Sequence, residues 1–175
     1  VTFSINESDG VTAVSESLRN DTYSSFEILS NIEVIPNFID LNRFQKQSKG
    51  HFKLAICPNG EKLLMHTSNF RKVKRIQDII QVFAKVQKQL PAKLLLVGDG
   101  SLQNDLKIMA ARLGISSQII FCGNRDQEWI SRVVPKVNVV LSPLTGRALG
   151  EAALGGAPIV AYDVDWHSEI VKNDV

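Results

Sequence analysis

Cysteine is scarce: Cys57 and Cys122 are the only two in 175 residues, far apart and without CxxC or Cys/His spacing. This leaves no disulfide framework and no cysteine-based zinc site, and the two read as structural thiols. Histidine is nearly as rare. His51, His66 and His167 have no partner at metal-like or triad-like spacing, so each reads as structural. No apolar stretch approaches the roughly 20 residues that span a bilayer, and the N-terminus lacks the basic flank and continuous apolar core of a signal peptide. A dominant charge is missing too, since the net charge of +2 gives no case for nucleic acid. Internal repeats and low-complexity tracts are absent. The expectation is a soluble, cytoplasmic protein without a transmembrane segment. The chain begins with Val1 rather than Met and stops at "KNDV" just after a helical pattern, from which we expect a fragment of a longer protein.

What is present is material for a core: 44% of the residues are hydrophobic and 22% charged, as in ordinary globular domains. After Lys46 short apolar runs alternate with helical periodicity. "KLLMHTS" (62–68), "AKLLLVG" (92–98), "QIIFCG" (118–123), "VNVVLSP" (137–143) and "APIVAY" (157–162) read as strands buried on both faces. Between them Ile76, Ile79, Ile80, Phe83, Val86 and Leu90 share one helical face, and Leu102, Leu106, Met109, Ala110 and Leu113 another, with Gly114 as a stop. Strand followed by helix, five times over, predicts an α/β domain with a doubly wound parallel sheet. In such sheets ligands bind beyond the carboxyl ends of the strands. The first 45 residues differ: "GVTAVSESLRND" suggests a short strand turning into a helix, and "IEVIPNFIDLNRF" an extended connection broken by Pro36 and Asn37.

Three loops carry candidate chemistry. "LVGDGSL" (96–102) suggests a dinucleotide turn but fails on spacing, because Gln103 stands where the third glycine of G-x-G-x-x-G belongs. A tight strand-to-helix turn is the better reading. "SNFRKVKR" (68–75) crowds Arg71, Lys72, Lys74 and Arg75 at the start of a helix. Cations are unfavourable at that positive end unless an anion accepts them, so the segment fits a phosphate or diphosphate site as well as a solvated basic face. In "PLTGRALGEAALGGAP", Gly146 permits close backbone approach to a ligand, and Glu151 follows one turn into a helix. A carboxylate there can accept two hydrogen bonds from a vicinal diol such as a ribose; a solvent-facing acid or an ion-pair partner is the alternative.

Taken in this order on a parallel-sheet domain, these segments resemble the second half of a GT-B glycosyltransferase of family 4, the retaining nucleotide-sugar enzymes. "VTFSINESDGVTAVSESLR", "IEVIPNFID", "SNFRKVKRIQD" and "AKLLLVGDG" are similar to the branch that transfers N-acetylglucosamine to L-malate in bacillithiol biosynthesis. Beyond about Ser101 the likeness is to the general family, and "SPLTGRALGEAALGGAPIVAYDVDW" resembles a different branch. The resemblance implies two Rossmann-like domains facing across a cleft. Residues 1–30 would be the tail of the acceptor domain, 31–45 the interdomain connection, and 46–175 the nucleotide-sugar-binding domain, incomplete at its C-terminus. By the same resemblance Lys74 binds the donor diphosphate and Arg71 supplies a second cation, since Asn69 stands where the family has arginine. Glu151 is the second acid of an E-x7-E signature and holds the ribose hydroxyls. Gly146, with Thr145 and Arg147 beside it, meets sugar and phosphate, while Asn124 and Arg125 fall where the family's loop meets the nucleobase. Two departures stand out. Pro143 occupies the first acid position of that signature, and Asp165 and Trp166 replace a usual Gly-Gly pair, although Glu169 keeps its place.

The function this implies is a retaining glycosyltransferase moving a sugar, N-acetylglucosamine in the branch that residues 1 to about 100 resemble, from its uridine diphosphate (UDP-GlcNAc) to a small hydroxy acceptor such as L-malate. No cofactor or metal is expected beyond the donor. The partners would be the nucleotide sugar and the acceptor, with self-association open and the chain alone inactive because half the cleft is absent. A non-catalytic nucleotide-sugar-binding module, prompted by Pro143, and a sugar-nucleotide epimerase are the alternatives. A nicotinamide oxidoreductase ranks last.

Overall fold

The computed structural model describes residues 1–40, 42, 52–144, 146–164 and 166–172. They form two compact units, Val1–Phe38 with Asp163–Val175, and Ile39–Tyr162. The first unit contains a short parallel pair, β1 (Val11–Ala13) beside β2 (Ile32–Val34), with helices α1 (Thr2–Asn6) and α2 (Glu16–Ser25). Ser15 caps α2, its hydroxyl accepting from the Leu18 amide at 3.1 Å. The short strand turning into a helix is present, and the extended run after it begins as β2; its positions 41, 43 and 44 lie outside the described residues, and α1 was not foreseen.

The second unit is built on five parallel strands in the order β5-β4-β3-β6-β7, where β3 is Lys62–Thr67, β4 Ala92–Val97, β5 Ile119–Gly123, β6 Val139–Ser142 and β7 Ile159–Ala161. All five strands expected from sequence are there, trimmed by at most two residues at an end. Their alternation feeds two cores. Leu64, Leu94 and Leu96 pack with Ile76, Ile79, Ile80, Phe83 and Leu106 on one face, while Leu63, Met65, Leu95 and Val97 pack with Ile130, Val133, Val140 and Ala152 on the other. The first face is covered by α4 (Ile76–Gln87) and α5 (Gln103–Arg112) and the second by α3 (Phe52–Ile56), α6 (Gln127–Val133) and α7 (Arg147–Leu154). The sheet is therefore doubly wound.

Three expectations need correction. Burial on both faces holds for the central strands but not for the edge strands: in β7 Val160 is 58% exposed, and in β5 only Ile119 is buried. Leu90 is exposed because α4 ends at Gln87, before the turn into Pro91. Leu113 is exposed at the C-cap of α5, where Gly114 at φ +70° ends the helix as expected.

The order reverses at β3: β4 and β5 extend the sheet to one side, and β6 and β7 to the other. The carboxyl ends of β3 and β6 thus flank the switch point where open α/β sheets bind ligands.

Candidate functional site

The loop leaving β3 is not free. Its backbone is stitched to the loop leaving β4 by Ser68 N–H to Val97 O at 3.1 Å, Phe70 N–H to Asp99 O at 2.8 Å and Leu102 N–H to Phe70 O at 3.1 Å. The "GDG" of that second loop makes the approach feasible. A Cβ on Gly98 would lie 1.9 Å from the Ser68 carbonyl oxygen, and one on Gly100 2.6 Å from that of Phe70. These glycines thus serve contact between two protein loops, as the tight-turn reading expects.

Beyond this stitch the chain makes a 3-10 turn, Lys72–Lys74, and Arg75 adopts a left-handed conformation at φ 52° before α4 begins. This geometry sorts the four basic residues. Lys74 lines the cleft at the switch point. Arg75 instead donates from Nε to Asp78 Oδ2 at 2.6 Å and lies 5.6 Å from the Tyr162 ring, whose hydroxyl also donates to Asp78 at 2.7 Å. These bonds hold the Asp78 carboxyl below its ordinary range. Arg71 and Lys72 are exposed and are not among the residues that line the cleft.

Two further cations, Arg125 and Arg147, reach the cleft from other loops. The cleft, about 420 Å³ in volume, is walled by Thr67 at the end of β3 with Ser68 and Asn69 after it, by Arg125 and Gln127 after β5, and by Gly146, Arg147 and Glu151 after β6. Asp126 caps α6, its carboxylate accepting from the Trp129 amide at 2.8 Å, and this places Trp129 under the Arg125 guanidinium at 5.3 Å. Phe52 braces Trp129 edge-on at 5.8 Å. Asn124, expected beside Arg125, is exposed and outside the lining.

Glu151 is the informative residue. It lies on α7 with 4% of its surface exposed, and its Oε1 accepts from Gln127 Nε2 at 3.1 Å and pairs with Arg147 Nε at 3.3 Å. The solvent-facing alternative is thus excluded, and the ion-pair alternative coexists with a place in the cleft wall. Chain neighbours aside, no atom of the described residues lies within 4 Å of where a Cβ on Gly146 would stand, so the space beside this backbone is open. Thr145 lies outside the described residues, as do Asp165 and His51. Glu169 belongs to the other compact unit, where its Oε1 accepts from the Ser17 amide at 3.0 Å. Pro143 is buried and lines a separate small apolar pocket with Ile79, Leu141 and Tyr162.

Sequence reasoning missed Ser68 and Gln127 as cleft residues. The Gln127 to Glu151 bond spans 24 positions and leaves no local pattern. His66 proves structural in one sense: it is fully buried, with Nδ1 2.8 Å from Leu141 O and Nε2 2.7 Å from Ser68 Oγ. Burial lowers it to about 4, helped by the charge of Lys74 and opposed by the Leu141 carbonyl. Burial likewise raises the Cys57 and Cys122 thiols, in keeping with structural roles. Among the described residues no three His, Cys, Asp or Glu cluster as metal ligands, and no helix is long and apolar enough to cross a membrane.

Comparison with known proteins gives concordant results. The family model "Glycosyl transferases group 1" matches residues 47–175. The chain is 35% identical to the N-acetyl-alpha-D-glucosaminyl L-malate synthase of Bacillus anthracis over 99% of its own length and 46% of that protein's. It is 28% identical to the alpha-monoglucosyldiacylglycerol synthase of Streptococcus pneumoniae, covering 97% of this chain and 41% of that one. Anabaena Alr3699/HepE, solved in complex with UDP and glucose, superposes with a TM-score of 0.86 at 21% identity, covering 99% of this chain and 50% of that one. The chain spans about half the length of the curated relatives it matches.

Proposed function

This chain belongs to the group 1 glycosyl transferases, and from that premise we propose that its cleft binds the nucleoside diphosphate of a sugar donor within a retaining glycosyltransferase of GT-B architecture. The observation that carries the reading is one buried carboxylate, Glu151, sharing the switch-point cleft with three cations, Lys74, Arg125 and Arg147. A carboxylate with its Oε1 already fixed by Gln127 and Arg147 is oriented to accept from a ribose diol. The cations balance a diphosphate, and they do so where surrounding protein strengthens the attraction.

In glycosyl transfer the bond from the sugar to the diphosphate breaks as positive charge builds on the ring. Lys74 and Arg147 stabilise the leaving diphosphate and stay fixed while the charge develops. A diphosphate oxygen takes the acceptor's hydroxyl proton on the same face, so the new bond forms with retention and without a protein nucleophile. Arg125, carried on Trp129, addresses the nucleobase side. The 35% identity to the malate synthase favours UDP-GlcNAc as donor and a small hydroxy acid such as L-malate as acceptor, bound mainly by a preceding domain for which residues 1–30 would be the tail. The buried, apolar Pro143 favours a second reading, a module that binds the donor without transfer.

Calorimetry with UDP separates the site residues. Lys74→Ala and Glu151→Ala should each weaken UDP binding by about tenfold or more, as expected for lost charge-assisted hydrogen bonds, while Arg71→Ala stays near the unaltered affinity. Equal affinity in all three would end the assignment. Donor binding by the longer protein without transfer or donor hydrolysis would select the binding module.

A further inference from the structure

The backbone ladder between β3 and β6 pairs Leu64 with Val139 and Met65 with Val140 and ends there. One residue further on, the imidazole of His66 takes over the connection and reaches Leu141 O at 2.8 Å. Its other nitrogen meets Ser68 Oγ at 2.7 Å, and Ser68 lines the cleft. We propose that His66 is a positioning residue of the cleft, acting through Ser68: it ties the two strand ends together and holds the Ser68 hydroxyl proton, so that Ser68 offers the ligand an acceptor and no donor.

The proton assignment follows from what each partner can do. A carbonyl oxygen only accepts, so Nδ1 carries a proton and donates it to Leu141. The ring is neutral near pH 7 because burial disfavours its charge. Nε2 is then a lone pair, and the Ser68 O–H donates to it at 2.7 Å in preference to the Asn69 carbonyl at 3.1 Å. What remains on Ser68 Oγ is acceptor capacity. It suits a ligand hydroxyl or the Lys74 ammonium and repels a phosphate oxygen. In a cleft whose three cations attract phosphate, Ser68 marks the wall where a hydroxyl-bearing part of the donor belongs. The inference rests on the nucleotide-sugar reading given above.

The test compares variants that split the two bonds of the ring, with UDP-GlcNAc as the probe. Ser68→Ala removes the acceptor. His66→Asn keeps a donor in reach of Leu141 O but has no atom in reach of Ser68, and His66→Gln places an amide oxygen where Nε2 stood. Ser68→Ala and His66→Asn should each weaken binding by about fivefold, in the range of one neutral hydrogen bond. The double variant should be no weaker than either alone, and His66→Gln should recover most of the affinity relative to His66→Asn. Nitrogen NMR should show Nε2 unprotonated at pH 7 in the unaltered chain. If that chain binds UDP-GlcNAc and Ser68→Ala binds it equally well, or if the two losses simply add, the role of His66 is refuted while the nucleotide-sugar reading stands. No binding by the unaltered chain would remove both.

Discussion

Replacing Gly98 with alanine should unfold or severely destabilise the domain, by roughly 4 kcal/mol, combining overpacking with an unfavourable backbone conformation. Two costs fall on one methyl group. Its Cβ would sit 1.9 Å from the Ser68 carbonyl oxygen and 2.9 Å from its carbonyl carbon, and both are backbone atoms that cannot swing aside. The residue also holds φ at +126°, where side chains are rarely found. Relief requires the β3 loop to move, which breaks the bond from the Ser68 amide to Val97 and displaces the cleft wall. Thermal denaturation should show a melting temperature lower by on the order of 10 °C, and UDP binding should fall with it. Gly114→Ala is the control, since that residue has φ +70° but nothing within 4 Å of its Cβ. It should cost only about 1 kcal/mol. Similar melting temperatures for the two variants would show that the loop contact does not constrain the site.

The second large effect is one of pH. Because the folded state holds His66 near 4 against an ordinary 6.5, the unfolded chain binds more protons between those values. Stability from this group is complete above about pH 6.5 and is lost as pH falls through 4. The integrated loss is about 3 kcal/mol. Lys74 acts in the same direction, so an anion bound beside it should soften the loss. Denaturant melts at pH 7.5 and 5.0 measure this against His66→Gln, whose side chain does not titrate. The unaltered protein should lose markedly more stability than the variant over that interval; parallel losses would place the acid sensitivity elsewhere.

Much of the fold was legible in the sequence because burial on both faces of a central strand leaves a continuous apolar run, as in "AKLLLVG". Helix ends were less so. The apolar spacing that includes Leu90 and Leu113 continues past the last helical turn, and only the cap geometry shows where the helix stops. In the site, loop position alone pointed to Glu151 and to the group of four cations at 71–75, and the resemblance singled out Lys74 among them. How those four are divided was not legible, because it depends on the left-handed turn at Arg75 and on Asp78 and Tyr162. The same holds for His66. Its bond to Leu141 crosses 75 positions, and a lone histidine in a strand carries no mark of it.

The stitched β3 loop has a consequence for how such a protein can change its substrate. Surface loops usually accept substitutions and insertions freely, but here two glycines and three backbone bonds fasten this one to its neighbour. Drift in sequence at Ser68–Phe70 is therefore penalised by folding before it is judged by function. Room to diversify lies across the cleft, at Gly146, where an added side chain meets open space rather than packed protein. One wall is the inherited template and the other is where new specificities can be tried.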